Sequence, residues 1–177
     1  MTFKIFLSPS QKFWRKDAIS PYLKPFYLCL GFFLAAALSG CMTAKPLPKA
    51  NLSEPGWTVR QGQAVWRPKR DAPELAGELL VATRPDGSTF VQFTKTPIPF
   101  AIAQASPRGW QIDFPPENRH YARHGAPPAR IVWFQLAKAV LGRPIAKGWT
   151  WRDSDGDSNW ELKNPSSGES LEGYFSQ

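Results

Sequence analysis

Three groups of residues in this chain have the types and spacing to do chemistry. The first is Cys41, which follows Leu38-Ser39-Gly40 at the end of an apolar run. Its thiol can take a thioether-linked diacylglycerol, and the small residues at Ser39 and Gly40 let a peptidase approach the backbone closely. The second is Asp153-Ser154-Asp155-Gly156-Asp157-Ser158-Asn159, where alternate oxygen ligands suit a hard cation such as calcium. Its glycine falls at the fourth position rather than the sixth, and Asn164 stands where a bidentate Glu would be. A polar hairpin loop between two Trp-bearing strands is therefore expected, without a metal. The third is the His120–His124 pair, the chain's two histidines. Four residues apart, they would share a metal on a helix. No carboxylate lies between them, and the Pro-rich surroundings describe a loop with solvated imidazoles. Nucleophile elbows, Walker loops and Rossmann glycine patterns are absent. The acidic residues fall in turns or on the polar faces of strands. The expectation is a protein with no cofactor and no enzymatic activity.

The elements around Cys41 give its chemistry a setting. Lys12, Arg15, Lys16 and Lys24 precede the apolar run 25–40 (PFYLCLGFFLAAALSG), which is shorter than the roughly 20 residues a membrane-spanning helix needs. Leu38-Ser39-Gly40-Cys41 closely resembles a lipobox, the processing and acylation signal of bacterial lipoproteins. Residues 1–40 then read as signal peptide, with Cys41 as the lipidated N-terminus. The alternative is an ordinary signal peptide or signal anchor that contains a cysteine. Met42 in place of Asp leans towards the outer membrane of a diderm envelope, facing the periplasm. Residues 41–54, rich in Pro, Lys and Ala, read as a flexible tether. Residues 55–177 form one domain.

Charge argues against nucleic acid. The chain carries 22 basic and 14 acidic residues, but five of the former and one of the latter lie in the first forty. The remainder holds 17 against 13, with no basic run interleaved with aromatics. Cys29 would leave with the signal, so no disulfide forms within the domain.

Within the domain, alternation of period two dominates. Strands are expected at 57–60, 64–67, 75–83, 90–94, 100–105, 110–114, 149–152, 160–163 and 170–175, with a short one near 119–121. The first two are separated by a turn at Gln61-Gly62. Arg84-Pro85-Asp86-Gly87 is a strong hairpin turn. One helix is expected over 128–141 (PARIVWFQLAKAVL), opened by Pro128 and stopped by Gly142 and Pro144. It is apolar nearly all round and should be buried. The fold class is mainly β: a curved antiparallel half-barrel sheet of about eight or nine strands, with this helix packed on its concave face. Trp57, Val65, Leu79, Val81, Val91 and Phe93 are expected on the apolar face; Phe100 and Ile102 share one face of their strand, opposite Ala101, Ala103 and Ala105. A single helix covers a narrow strip of so wide a sheet, so an apolar concavity should remain.

PDGSTFVQFTK, GWQIDFPP and WELKNPSSGESLEG, together with the lipobox and the alternating strands, resemble the LolA/LolB-like family over about residues 75–175. The resemblance implies a half-open β-barrel that holds acyl chains in an aromatic-lined cavity and assists lipid or lipoprotein transfer at the outer membrane. The residues that would line the cavity are Trp110, Ile112, Phe114, Trp133, Leu136, Val140, Trp149, Trp151 and Trp160. A protruding apolar residue for membrane contact would be Ile98; its alternative is a place in the core. Implied partners are membrane lipid, lipoprotein acyl chains or a periplasmic carrier, with the protein acting as a monomer. The rival reading is a structural accessory lipoprotein of an envelope complex, with a filled core and no ligand.

Overall fold

The alternating segments become nine antiparallel strands in a single open sheet. The computed structural model describes residues 46–153 and 159–176. The expected signal segment 1–40, residues 41–45 with Cys41, residues 154–158 of the acidic loop and Gln177 lie outside them. The strands are β1 (Thr58–Arg67), β2 (Leu75–Thr83), β3 (Thr89–Lys95), β4 (Ile98–Ser106), β5 (Gly109–Phe114), β6 (Arg119–His124), β7 (Thr150–Asp153), β8 (Asn159–Asn164) and β9 (Glu169–Phe175). Among the described residues one α-helix, α1 (Val132–Val140), lies between β6 and β7.

The order across the sheet is β6-β5-β4-β3-β2-β1-β9-β8-β7. The chain walks outward from β1 to the β6 edge, crosses through residues 125–149 to the β7 edge, and returns to pair β9 with β1. Because that crossing carries α1, the helix lies over the inner face, against β2, β3, β4 and β9. Nine strands span about 38 Å at the usual spacing, whereas nine helical residues rise about 14 Å. The helix therefore covers only part of the face, and the curl of the sheet supplies the rest.

The inner face carries Leu79, Val81, Val91, Phe93, Ile112, Leu162 and Leu171, each at most 2% exposed. Alanines 101, 103 and 105 on β4 are also buried and keep that strand low. Trp133 stacks on Phe93 with ring centroids 5.3 Å apart and tilts against Trp66, also at 5.3 Å. The helix is buried almost all round, as its composition demands: Val132 to Ala137 are all enclosed. Even Gln135 is inside. Its Oε1 accepts the backbone N–H of Ala146 at 2.8 Å and so pins the chain after the helix.

Several expectations are corrected. The helix begins at Val132 rather than Pro128, with Ile131 in an extended conformation at its N-cap and no side chain capping the first turn. Residues 128–131 form a turn instead, with Ile131 N–H on the Pro128 carbonyl. Its end was well marked: Gly142 takes φ 65° and Arg143 N–H returns to the Lys138 carbonyl. The expected break at Gln61-Gly62 is absent, and β1 runs through it. Gly62 serves close strand approach, because a Cβ there would sit 1.8 Å from the Tyr174 carbonyl oxygen. With no turn to reset the phase, Ala64 and Trp66 face inward and Val65 faces out. Trp57 precedes the strand and lies under the Arg84 guanidinium, 5.2 Å from ring centroid to Cζ. On β4 the register shifts at Phe93/Thr94, making Phe100 the extra residue of a bulge. Phe100 thereby joins the inner face with the alanines and meets Trp66 at 5.5 Å.

The expected tether also changes. Leu47 N–H donates to Gln111 Oε1 at 2.7 Å, and Gln104 Nε2 donates to the Pro48 carbonyl at 2.9 Å. From Leu47 onward the chain is a strap on the outer face of the sheet rather than a free spacer.

A candidate hydrophobic cleft

The nine residues expected to line a cavity divide into two sets. Trp133, Leu136, Ile112, Trp110 and Trp149 are packed into the core, none more than 7% exposed, and none lines a cleft. Trp133 fills the space between Phe93 and Trp66, and Trp110 meets Phe134 edge-on at 5.6 Å. Trp149 precedes β7 and donates its indole N–H to the Ala129 carbonyl at 2.9 Å, tying together the two ends of the crossing segment. Phe114, at the end of β5, is half-buried against the core and also apart from any cleft.

Val140, Trp151 and Trp160 come together elsewhere. They line a cleft of about 830 Å³ between the C-terminal end of α1 and the inner face of β7, β8 and β9. Its floor is a ladder of three parallel rings. Trp151 stacks on Trp160 at 5.7 Å and 19°, and Trp160 stacks on Phe175 at 5.4 Å and 28°. The ladder follows from strand pairing: Trp151 lies opposite Leu162 and Trp160 opposite Gly173, so the three rings share one face of adjacent strands. Gly173 itself serves close approach of β9 to β1, because a Cβ there would sit 2.1 Å from the Gln63 carbonyl oxygen. Ala139 and Ile145 add apolar wall. Arg60, Arg143 and Asp153 stand at the rim, and the Arg60 guanidinium lies 5.7 Å over the Phe175 ring. The Trp160 indole N–H is buried with no protein acceptor.

A second cleft, about 670 Å³, lies on the opposite flank of the helix, lined by Ala105, Pro107, Pro127, Phe134, Ala137 and Leu141. Arg143 and Pro144 border both clefts. The single concavity expected from the sequence is therefore split by α1. The N-terminal half of the helix fills it, and the C-terminal half leaves an opening on each side. Phe175, Ile145, Arg60 and Arg143 were missed by sequence reasoning. For Phe175 a signal existed, since it continues the inward phase of Leu171 and Gly173. For Arg60 it did not, because the inward phase expected over 57–60 follows Trp57.

Ile98 stands at the β3–β4 turn and is 57% exposed, so it is not a core residue. His120 and His124 lie on edge strand β6 rather than in the expected loop; His120 Nδ1 is 2.5 Å from Asp113 Oδ1. Among the described residues no three His, Cys, Asp or Glu side chains gather as a metal site. A groove of about 750 Å³ on the outer face is rimmed by Glu78, Glu161, Glu172, Arg152 and Tyr174. Glu161 there is already engaged by Lys163 and Arg152. No described helix is long and apolar enough to cross a membrane.

Among the described residues Glu169 is the one inner-face carboxyl with a displaced titration. Burial pushes it up to about 7, opposed by the Trp66 indole N–H, which donates to its Oε1 at 3.1 Å. It lies at the opposite end of β9 from the ladder. No protein-family model matches the chain, and neither does any curated protein.

Proposed function

We propose that this is a lipid-anchored envelope protein that binds a hydrophobic, acyl-type ligand and assists lipid or lipoprotein transfer at the outer membrane. The observation that carries the reading is the Trp151–Trp160–Phe175 ladder lining an unfilled cleft beside α1. Its volume falls within the roughly 300–1,000 Å³ of small-molecule sites, and its lining is the mixture such sites use, apolar walls with a few polar groups at the mouth. Flat stacked rings suit extended methylene chains, and Arg60 and Arg143 suit an anionic head. Transfer of this kind needs no catalytic residue, only an affinity comparable to that of the next acceptor.

The LolA/LolB-like resemblance and the lipobox at Cys41 support the same reading, with membrane lipid, lipoprotein acyl chains or a periplasmic carrier as partners. Exposed Ile98, on a hairpin turn, is the apolar residue such a protein would present to a bilayer. Mass spectrometry of the purified mature protein tests the ligand directly, alongside a Trp fluorescence titration with fatty acid and lysophospholipid. Co-purified lipid and a saturable Trp response are expected. Trp151→Ala should weaken the response at least several-fold while leaving the fold intact, because Trp151 is only half-buried. Absence of both lipid and response rules out the carrier reading.

One observation favours a second reading. The half of the interior under Trp133 and Leu136 is packed solid. A structural accessory lipoprotein, docking through its polar outer face, would have such an interior, and the clefts beside Val140 would then be inert surface.

A further inference from the structure

The strap formed by residues 46–57 has a direction. At its C-terminal end, the Arg84 guanidinium donates to the Pro55 carbonyl at 2.9 Å and pairs with Glu54 at 3.5 Å. Toward its N-terminal end, Pro48 is held by Gln104 of β4 and Leu47 by Gln111 of β5. Val59, Ala82, Phe90, Gln104 and Gln111 are consecutive cross-strand partners, so they form one outer-face row running across the strands. Followed toward its N-terminus, the chain runs along this row from β1 and β2 to β4 and then β5. The next strand, and the last in the sheet, is β6.

Cys41 precedes Leu47 by six residues, and an extended chain covers at most about 3.6 Å per residue. An anchor at Cys41 thus holds the pinned Leu47 within about 20 Å of the lipid. The surface at that edge is cationic. β6 reads Arg-His-Tyr-Ala-Arg-His, all exposed except Ala122. Arg119 pairs with Glu117 at 2.9 Å, and His120 with Asp113. Arg123 and Arg108 of the neighbouring hairpin are exposed and make no ion pair among the described residues. Tyr121, two residues before Arg123 on the same face of β6, is 48% exposed, an aromatic of the kind that settles at headgroup depth. The opposite edge, β7, balances Arg152 with Asp153.

We infer that the β6 edge is the face this protein turns to the bilayer, with Arg108 and Arg123 on anionic lipid headgroups and Tyr121 at the interface. The inference rests on the reading that Cys41 carries the anchor. Basic residues near an anionic leaflet are drawn to it within a Debye length, so the contact weakens with salt. It holds the sheet edge-on, with Tyr121 and Arg123 in line with the inner-face residues Ile112 and Trp110, so the side of the sheet that carries the clefts borders the lipid at this edge.

The test uses the mature acylated protein in vesicles of phosphatidylcholine with or without phosphatidylglycerol. An environment-sensitive fluorophore is placed on Tyr121→Cys, Ile98→Cys or Tyr174→Cys, the acylated Cys41 being unreactive. The label at 121 should shift to the blue and be quenched by headgroup-labelled lipid. The effect should be several-fold larger with phosphatidylglycerol, and lost in high salt or in the Arg108→Gln/Arg123→Gln variant. Position 174 should stay in water, and position 98, the contact that the family resemblance implies, should respond less than 121. Equal responses at 121 and 174, or a response at 98 alone, would overturn the inference while leaving the anchor intact. Mass spectrometry of the N-terminus separates the two readings: an unmodified Cys41 overturns the anchor and the orientation together.

Discussion

Trp66, Phe93 and Trp133 show how much of this fold rests on single side chains. Their rings meet within 5.3 Å of the Trp133 centroid, and Trp133 is 1% exposed. Trp133→Ala should lower stability by about 3–5 kcal/mol, the usual cost of emptying a buried aromatic site, measured by urea or thermal unfolding. At the cleft the same substitution costs less, because Trp151 keeps one face in solvent; there the ligand response is the quantity expected to change. Glu169 gives a pH signature. Its folded-state titration lies at about 7 against 4.5 for the free group, so the folded protein holds this proton more tightly than the unfolded chain. The contribution to stability is fully present below about pH 4.5 and is lost as pH rises through 7. Glu169→Gln should flatten that slope, with a higher melting temperature than the parent at pH 8 and little difference at pH 4. Identical pH profiles for the two proteins would show that Glu169 is not the group responsible.

Elements whose boundaries are set by local chemistry were legible. The β2–β3 hairpin turns at Arg84-Pro85-Asp86-Gly87, with Gly87 at φ 90° and its N–H on the Arg84 carbonyl, and β2 spans residues 75–83 as its pattern implies. The stop of α1 at Gly142 is of the same kind. Its start was not legible, since no Ser, Thr, Asp or Asn marks an N-cap and Pro128 suits a turn as well as a first helical residue. β1 failed for a different reason. Gly62 reads locally as a turn, whereas its role is to let β9 approach, a contact between residues far apart in sequence. Gly62→Val should therefore cost about 1–3 kcal/mol or more through overpacking against the Tyr174 carbonyl, read as a lower unfolding midpoint. The strap was equally hidden, because Pro-, Lys- and Ala-rich composition describes a spacer until Gln104 and Gln111 capture it. Gln111→Ala should speed hydrogen exchange at the Leu47 amide while leaving β5 protected.

At the scale of the whole molecule, anchoring and orientation are the same question. Cys41→Ala should move the protein from the membrane to the soluble fraction with an unchanged circular dichroism spectrum. If the released form keeps full activity in cells, the anchor is only an address. The sequence by itself determined the antiparallel architecture, through period-two alternation and turn residues, and the burial of the helix, through its nearly unbroken apolar surface. It also offers Cys41 as the thiol that the lipobox resemblance would have acylated, which the Cys41→Ala variant tests. Tertiary structure alone decided which aromatics fill the interior and which line a cleft. Trp133 and Trp151 are chemically equivalent, and their environments differ only because the curl of the sheet brings the first against Phe93 and leaves the second beside the end of the helix. The decisive contacts, such as Trp66 with Glu169 across 103 residues or Arg60 over Phe175, join positions that no local pattern relates.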